Sequence, residues 1–209
     1  VNRNVDEDDS VESYTGKIFE SAMASLDQVH HSLDMSAINR AVDLLTQAKK
    51  IAFFGLGSSA AVAHDAMNKF FRFNVPVIYS DDIVLQRMSC MNCNDDDVVV
   101  IISHTGRTKS LVELAQLARE NDAMVIAITS PGTPLSREST LAITLDVPED
   151  TDIYMPMVSR LAQLTVIDVL ATGFTLRRGA KFRDNLKRVK EALKESRFDK
   201  ELSLHSNDQ

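Results

Sequence analysis

Tryptophan is absent from this 209-residue chain, cysteine occurs twice, and glycine and proline contribute only 7 and 5 residues. Two cysteines cannot build a disulfide framework, and they suit a reducing compartment. The scarcity of glycine and proline excludes a fibrous or low-complexity chain, and 44% hydrophobic with 25% charged residues excludes disorder throughout. Positive charge is also short, since 23 Lys+Arg against 30 Asp+Glu leave a net charge of -7. DNA affinity comes largely from clustered basic side chains that neutralise phosphates, so direct nucleic-acid binding is not expected. No apolar run approaches the roughly 18 residues of a membrane span, and the longest, 161–176, is interrupted by Gln163 and Asp168. The first residues, VNRNVDEDDSVESYTG, lack the basic start and apolar core of a signal peptide. A cytosolic chain follows, with residues 1–16 read as the remnant of an opened linker.

Helix and strand patterns alternate along the rest. From Gly16 onward Phe19, Met23, Leu26, Val29 or His30 and Leu33 recur at three and four residues, predicting a helix with a narrow apolar seam. A second helix over 35–49 leads into IAFFG at 51–55, a short apolar run ending on glycine that reads as a buried strand. Strands are expected near 75–79, 98–102, 124–128 and 141–147, with helices over 59–73, 82–91 and 109–121. That succession predicts an α/β fold with a parallel, doubly wound five-stranded sheet between two helical layers. After Pro156 a helix to about Leu176 is apolar nearly all round, which implies burial, preferentially against another subunit. Residues 180–197 carry Phe182, Leu186, Val189 and Leu193 at coiled-coil-like spacing, and 177–200 hold 10 Lys+Arg against 4 Asp+Glu. That basic segment reads as a solvated helix face, or as a contact with a subunit or acidic partner.

Two strand ends carry chemistry. In FFGLGSSAAVAHD, 53–65, a strand ends in Gly55-Leu56-Gly57 and Ser58 or Ser59 opens a helix. Glycine admits close backbone approach, and a helix start offers unpaired N–H groups and the positive end of the dipole to an anion. A tight strand-to-helix turn with an N-cap serine would show the same residues. A dinucleotide site fits less well, because Ala60 stands at the third glycine position and Tyr79-Ser80 close the second strand where an acid is needed. In VVVIISHTGRTKSLVEL, 98–114, a strand ends in Ser103-His104-Thr105-Gly106-Arg107-Thr108. Its three hydroxyls and the amides of the turn form a nest for phosphate oxygens that needs no metal. With strand order 2-1-3-4-5 both turns flank the switch point of the sheet and share one crevice.

The pair Gly-x-Gly-Ser-Ser and Ser-x-Thr-Gly-x-Thr resembles the sugar isomerase (SIS) domain, found in glucosamine-6-phosphate synthase and in RpiR-family transcription regulators. The resemblance covers about 35–178. The runs GLGSSAAVAHDAMNKFFRFNVPV, ISHTGRTKSL and SRLAQLTVIDVL are most similar to the HexR-type RpiR regulators, which sense 2-keto-3-deoxy-6-phosphogluconate. It implies the SIS fold with N- and C-terminal helical extensions over 17–200, followed by a tail at 201–209. It assigns Ser59 and Ser103 to the phosphate, supported by Thr105, Gly106, Thr108 and Gly57, with Ser58 as a weaker candidate. The stretch 154–163 is the family's third contribution, in which Ser159, Arg160 and Gln163 match Ser-Arg-x-x-Gln. Arg160 or Arg107 is expected near the ligand carboxylate by bidentate pairing, and His104 near the ligand, as a hydrogen-bonding group or as a base. The family's N-terminal helix-turn-helix module has no counterpart here, so DNA is expected as a partner only through a missing N-terminal domain. A homo-oligomer, dimer or tetramer, is expected, with no membrane partner and no cofactor.

Other constellations point elsewhere. Cys90-x-x-Cys93 has zinc-like spacing but lacks two further ligands among the five histidines. Asp95-Asp96-Asp97 reads as a solvated turn, since a calcium loop needs glycine and alternating ligands. An aldose-ketose isomerase needs a general base over C1 and C2. His64, His104, Glu113 and Glu149 are the candidates, and no motif fixes one of them over a sugar. Three readings remain: an effector-binding domain of a regulator, which the residues favour; a sugar-phosphate isomerase; and an oligomerisation module with a vestigial pocket.

Overall fold

A computed structural model of the chain describes residues 5–147 and 158–197. Glu149, the stretch 154–157 and the tail 201–209 lie outside the described residues. Helix α1 (Val11–Ser32) leads to α2 (Met35–Gln47), and then β1 (Lys50–Gly55), α3 (Ser58–Phe70), β2 (Val77–Ser80), α4 (Ile83–Met91) and β3 (Asp97–Ser103) follow. The order continues with α5 (Lys109–Glu120), β4 (Met124–Thr129), α6 (Pro134–Glu138), β5 (Leu141–Thr144) and α7 (Val158–Lys194). All strand pairs are parallel and the sheet order is β2-β1-β3-β4-β5. This is the α/β architecture expected from the alternating pattern. Among the described residues, no helix is long and apolar enough to cross a membrane.

Burial on both faces explains why the central strands read as continuous apolar runs. Ile51, Phe53, Val98, Val100, Ile102, Ile126 and Ile128 pack under α2, α3 and α7, while Ala52, Phe54, Val99, Ile101, Val125 and Ala127 pack under α4, α5 and α6. Because side chains alternate along a strand, each layer takes every second residue. Helices α3 and α5, which follow the neighbouring strands β1 and β3, therefore lie on opposite faces. Their starts stand at the carboxyl ends of those adjacent strands, the place where doubly wound sheets hold ligands.

Several boundaries differ from the expected ones for identifiable reasons. Helix α1 starts at Val11 and not at Gly16, so residues 11–16, assigned to the linker, are helical. The Ser10 hydroxyl accepts the Ser13 N–H at 3.1 Å, and Lys17 Nζ reaches back to Asp9 at 2.6 Å and Asp6 at 3.0 Å. Asp97 does not belong to a solvated turn. It is buried at the start of β3, where its carboxylate accepts the Asn94 N–H at 3.0 Å and faces Lys50 Nζ at 3.3 Å. Helix α6 was not expected; it is one short turn capped by the Thr133 hydroxyl with Pro134 at its start. The two C-terminal helices run on as α7, with Gly179 non-helical at φ 81° between them. Before Gly179, α7 buries Ala162, Val166, Ile167, Leu170 and Phe174, while Leu161, Val169 and Leu176 are exposed beside Thr165, Asp168 and Thr172.

Helix α7 is fastened to α2 and α3. Gly173 lets it approach α2 so closely that a Cβ there would lie 2.7 Å from Val42 Cγ2. Arg177 pairs with Asp43, Arg178 donates to the Thr46 carbonyl at 3.0 Å, and the Arg178 guanidinium sits 4.8 Å above the Phe174 ring. Phe70, Phe73, Phe174 and Phe182 form a contiguous ring cluster. Lys69 Nζ on α3 meets Asp168 on α7 at 2.8 Å, which raises the lysine pKa above its ordinary value.

Candidate functional site

The first turn is built by close packing. Gly55 ends β1 against the first turn of α3, where a Cβ would stand 2.7 Å from the Ser59 carbonyl oxygen, so no larger residue fits. Gly57 then takes φ 58°, ψ -131° as N-cap of α3, a conformation that L side chains rarely adopt. It has no side chain to cap the helix, and the N–H groups of Ser58 and Ser59, first in α3, have no carbonyl a turn behind them within the helix. The N–H of Ala60 is occupied by the Gly57 carbonyl at 3.1 Å. Ser59 is 8% exposed.

The second turn stands one strand away. Gly55 pairs with Ile102 in the parallel register of β1 and β3, so Ser103 follows directly at the same end of the sheet. The buried Ser103 hydroxyl accepts the Gly106 N–H at 3.1 Å, which leaves its proton to donate elsewhere. The Thr105 hydroxyl accepts the Arg107 N–H at 3.4 Å, and Thr108 caps α5 without a side-chain cap bond. Gly106 has φ 58°, and a Cβ there would lie 2.3 Å from Thr133 Oγ1 and 2.4 Å from Thr129 Oγ1. Glycine is the only residue this turn accepts.

What sequence reasoning missed is the strap that holds the second turn. Ser130 donates its N–H and its hydroxyl to the His104 carbonyl at 3.1 and 2.6 Å, and the Leu135 N–H donates to the Gly106 carbonyl at 3.0 Å. Thr129 and Thr133 share a buried hydroxyl pair at 3.3 Å. The hydroxyl-rich run ITSPGTP after β4 carried a signal for this. A second missed residue is Gln86 on α4, fully buried, whose side-chain amide donates to the carbonyls of Gly55 and Ser80 at 3.1 and 2.8 Å.

The third expected contribution begins α7. Helix α7 packs on α3, where Lys69 meets Asp168 at 2.8 Å and the Phe70 ring lies 5.5 Å from that of Phe174. Ser159 and Gln163 are buried at 3% exposure each, whereas Arg160, Arg107, Thr105 and Thr108 are exposed and His104 and Ser58 are half-buried. The strand register thus unites Gly57, Ser58 and Ser59 with Ser103 to Thr108. No direct bond joins Ser159, Arg160 or Gln163 to either turn among the described residues.

The described candidate bases have other partners. Glu113 faces Arg87 at 3.8 Å and Lys109 at 3.7 Å on exposed surface, and the His64 ring packs on Tyr79 at 4.8 Å. Burial raises the Tyr79 pKa above its ordinary value. Cys90 lies near the end of α4 and Cys93 just beyond it, its thiol donating to the Ser89 carbonyl at 3.3 Å; the neighbouring thiols raise the Cys90 pKa, with burial adding to this, and lower that of Cys93. No cluster of three His, Cys, Asp or Glu able to hold a metal occurs among the described residues.

The family profile of the SIS domain matches residues 44–173. Over the whole chain the sequence is 91% identical to the HTH-type transcriptional regulator HexR of Escherichia coli K12, and it spans 72% of that protein. It is 56% identical to the HTH-type transcriptional regulator HexR of Pseudomonas aeruginosa over 95% of this chain and 70% of that protein. Among solved structures, the Vibrio vulnificus NanR protein complexed with ManNAc-6P superposes with a TM-score of 0.82 at 24% identity, covering 90% of this chain and 72% of that one, a likeness of fold. With the parallel sheet and its two polar turns, these matches make the chain a member of the SIS domain family and, within it, of the HexR group of HTH-type transcriptional regulators.

Proposed function

We propose that this chain is the effector-sensing part of a HexR-type regulator and that its effector is 2-keto-3-deoxy-6-phosphogluconate. The observation that carries this reading is the meeting of two polar strand-to-helix turns at the adjacent ends of β1 and β3. A phosphate dianion there receives the N–H groups of Ser58 and Ser59, the Ser59 hydroxyl and the free protons of the Ser103 and Thr105 hydroxyls, close to the positive ends of two helix dipoles. Thr108 and the amides around Gly106 complete the nest. The sugar acid extends toward α7, with Ser159, Gln163 and His104 along it and Arg107 or Arg160 as a bidentate partner for the carboxylate. The NanR protein, complexed with ManNAc-6P on the same fold, is consistent with this ligand class.

In this reading DNA is contacted by an N-terminal helix-turn-helix module, and the chain assembles as a dimer or tetramer. Effector binding changes DNA affinity because two quaternary states bind the effector differently, with a coupling of about 1–3 kcal/mol being usual. Titration calorimetry with 2-keto-3-deoxy-6-phosphogluconate tests the proposal. One site per chain is expected, and Ser59→Ala with Ser103→Ala together should abolish the heat while leaving the circular dichroism unchanged and lowering the melting temperature by only a few degrees, the cost of the lost Gly106 N–H bond to Ser103. Persistent binding in the double variant would place the ligand elsewhere, and absence of both heat and thermal shift in the parent chain would remove the sugar acid from the account.

A further inference from the structure

Pairing between β1 and β2 stops at Phe54 and Ser80, one residue before β1 ends, whereas pairing with β3 continues through Gly55. The Gly55 carbonyl thus outlasts its neighbouring strand on the β2 side, in a region where Gly55 itself is buried. Buried carbonyls in native proteins find a partner. Here the partner is the side chain of Gln86, reaching from α4 with 0% exposure to donate both amide hydrogens, to Gly55 at 3.1 Å and to Ser80 at 2.8 Å. Its Oε1 is buried and accepts no hydrogen bond among the described residues, so the side chain acts through its donors alone.

We propose that Gln86 is a positioning residue for the anion site: it replaces the missing strand partner of β1 and fixes the peptide plane from which the Gly57–Ser59 turn departs. This rests on the reading of that turn as a phosphate site. The Gly55–Leu56 peptide lies immediately before Gly57, and the first turn of α3 comes so close that a Cβ on Gly55 would lie 2.7 Å from the Ser59 carbonyl oxygen. With the carbonyl of Gly55 tied on one side and its Cα packed on the other, the turn has one orientation. The N–H groups of Ser58 and Ser59 are therefore aimed before a ligand arrives, and preorganised donors bind without a further ordering cost. Glutamate cannot substitute in its ionised form, because a carboxylate would set lone pairs against two carbonyl oxygens.

Two variants of the full chain test this, Gln86→Met and Gln86→Glu. In Gln86→Met, amide hydrogen exchange at Ala60, whose N–H bonds to Gly57, should accelerate about tenfold, while Leu114 on α5 and Ile128 on β4 keep their rates. The dissociation constant for 2-keto-3-deoxy-6-phosphogluconate should rise about tenfold, the loss of one typical hydrogen bond. Unchanged exchange at Ala60, or equal acceleration at all three residues, overturns the proposal. If Gln86→Met does not fold, Gln86→Glu decides. A glutamate buried there stays protonated at low pH and donates one hydrogen bond, so its affinity relative to the parent chain should fall between pH 6 and pH 8. A constant ratio overturns the proposal. Should the parent chain bind no effector, the function proposed above fails, and the exchange arm still judges Gln86.

Discussion

At the scale of single residues, the site depends on positions where a side chain is not allowed. Gly106 combines φ 58° with the hydroxyls of Thr129 and Thr133 within 2.4 Å of where a Cβ would be. Gly106→Ala should therefore destabilise the chain by about 3 kcal/mol, from left-handed strain and overpacking together, measured by urea unfolding. A change under 1 kcal/mol would mean that the strap after β4 yields easily. Asp9 offers a separate check. Hydrogen bonds from Lys17 and then Ser13 hold its pKa at about 2. Because the folded value is depressed, this carboxylate favours the folded helix start above the ordinary carboxylate range, and the contribution disappears as pH falls toward 2. Carbon NMR of Asp9 should show a higher titration midpoint in Lys17→Met than in the parent chain, still held below the usual carboxylate range by the Ser13 bond; equal midpoints would refute the pairing.

At the scale of elements, the crossing of α2 and α7 is set by one glycine. A methyl at 173 would meet Val42, whose branched side chain has one favoured rotamer in a helix and cannot swing aside. Gly173→Ala should cost about 1–3 kcal/mol in thermal or urea unfolding, and Val42→Ala in the same chain should recover part of that loss. Strict additivity would show that the two residues are not in contact. The elements most legible in the sequence were β1, β3 and β4, because strands buried on both faces appear as unbroken apolar runs. The two polar turns were legible through glycine and hydroxyls at strand ends. The features that were missed had no periodic signal. Helix α6 is a single turn, the start of α1 depends on a cap and on Lys17 folding back, and Asp97 is buried by pairing with Lys50. Gln86 is one polar residue in a short helix, and its role depends on where β2 stops, which only the strand register reveals.

At the scale of the whole molecule, the proposed function requires an acidic chain of net charge -7 to hold its anion by local means. Residues 1–176 are more acidic than the chain as a whole, since the basic charge gathers in the last helix. Attraction of a phosphate by a general field is therefore small, and selectivity falls to two helix starts, a ring of hydroxyls and a few arginines. Ligand bound only by the folded chain must stabilise it, so 2-keto-3-deoxy-6-phosphogluconate at one hundred times its dissociation constant should add about 2.7 kcal/mol to unfolding. An unchanged unfolding midpoint would contradict binding to the native state. The central claim, that the β1 and β3 turns hold one phosphate jointly, is tested most directly by following backbone amide NMR shifts during a titration with that effector. The account predicts that the amides of Ser58, Ser59 and Thr105 to Thr108 move together on one binding curve with one midpoint. Movement of one turn alone, or shifts confined to other parts of the chain, would contradict it.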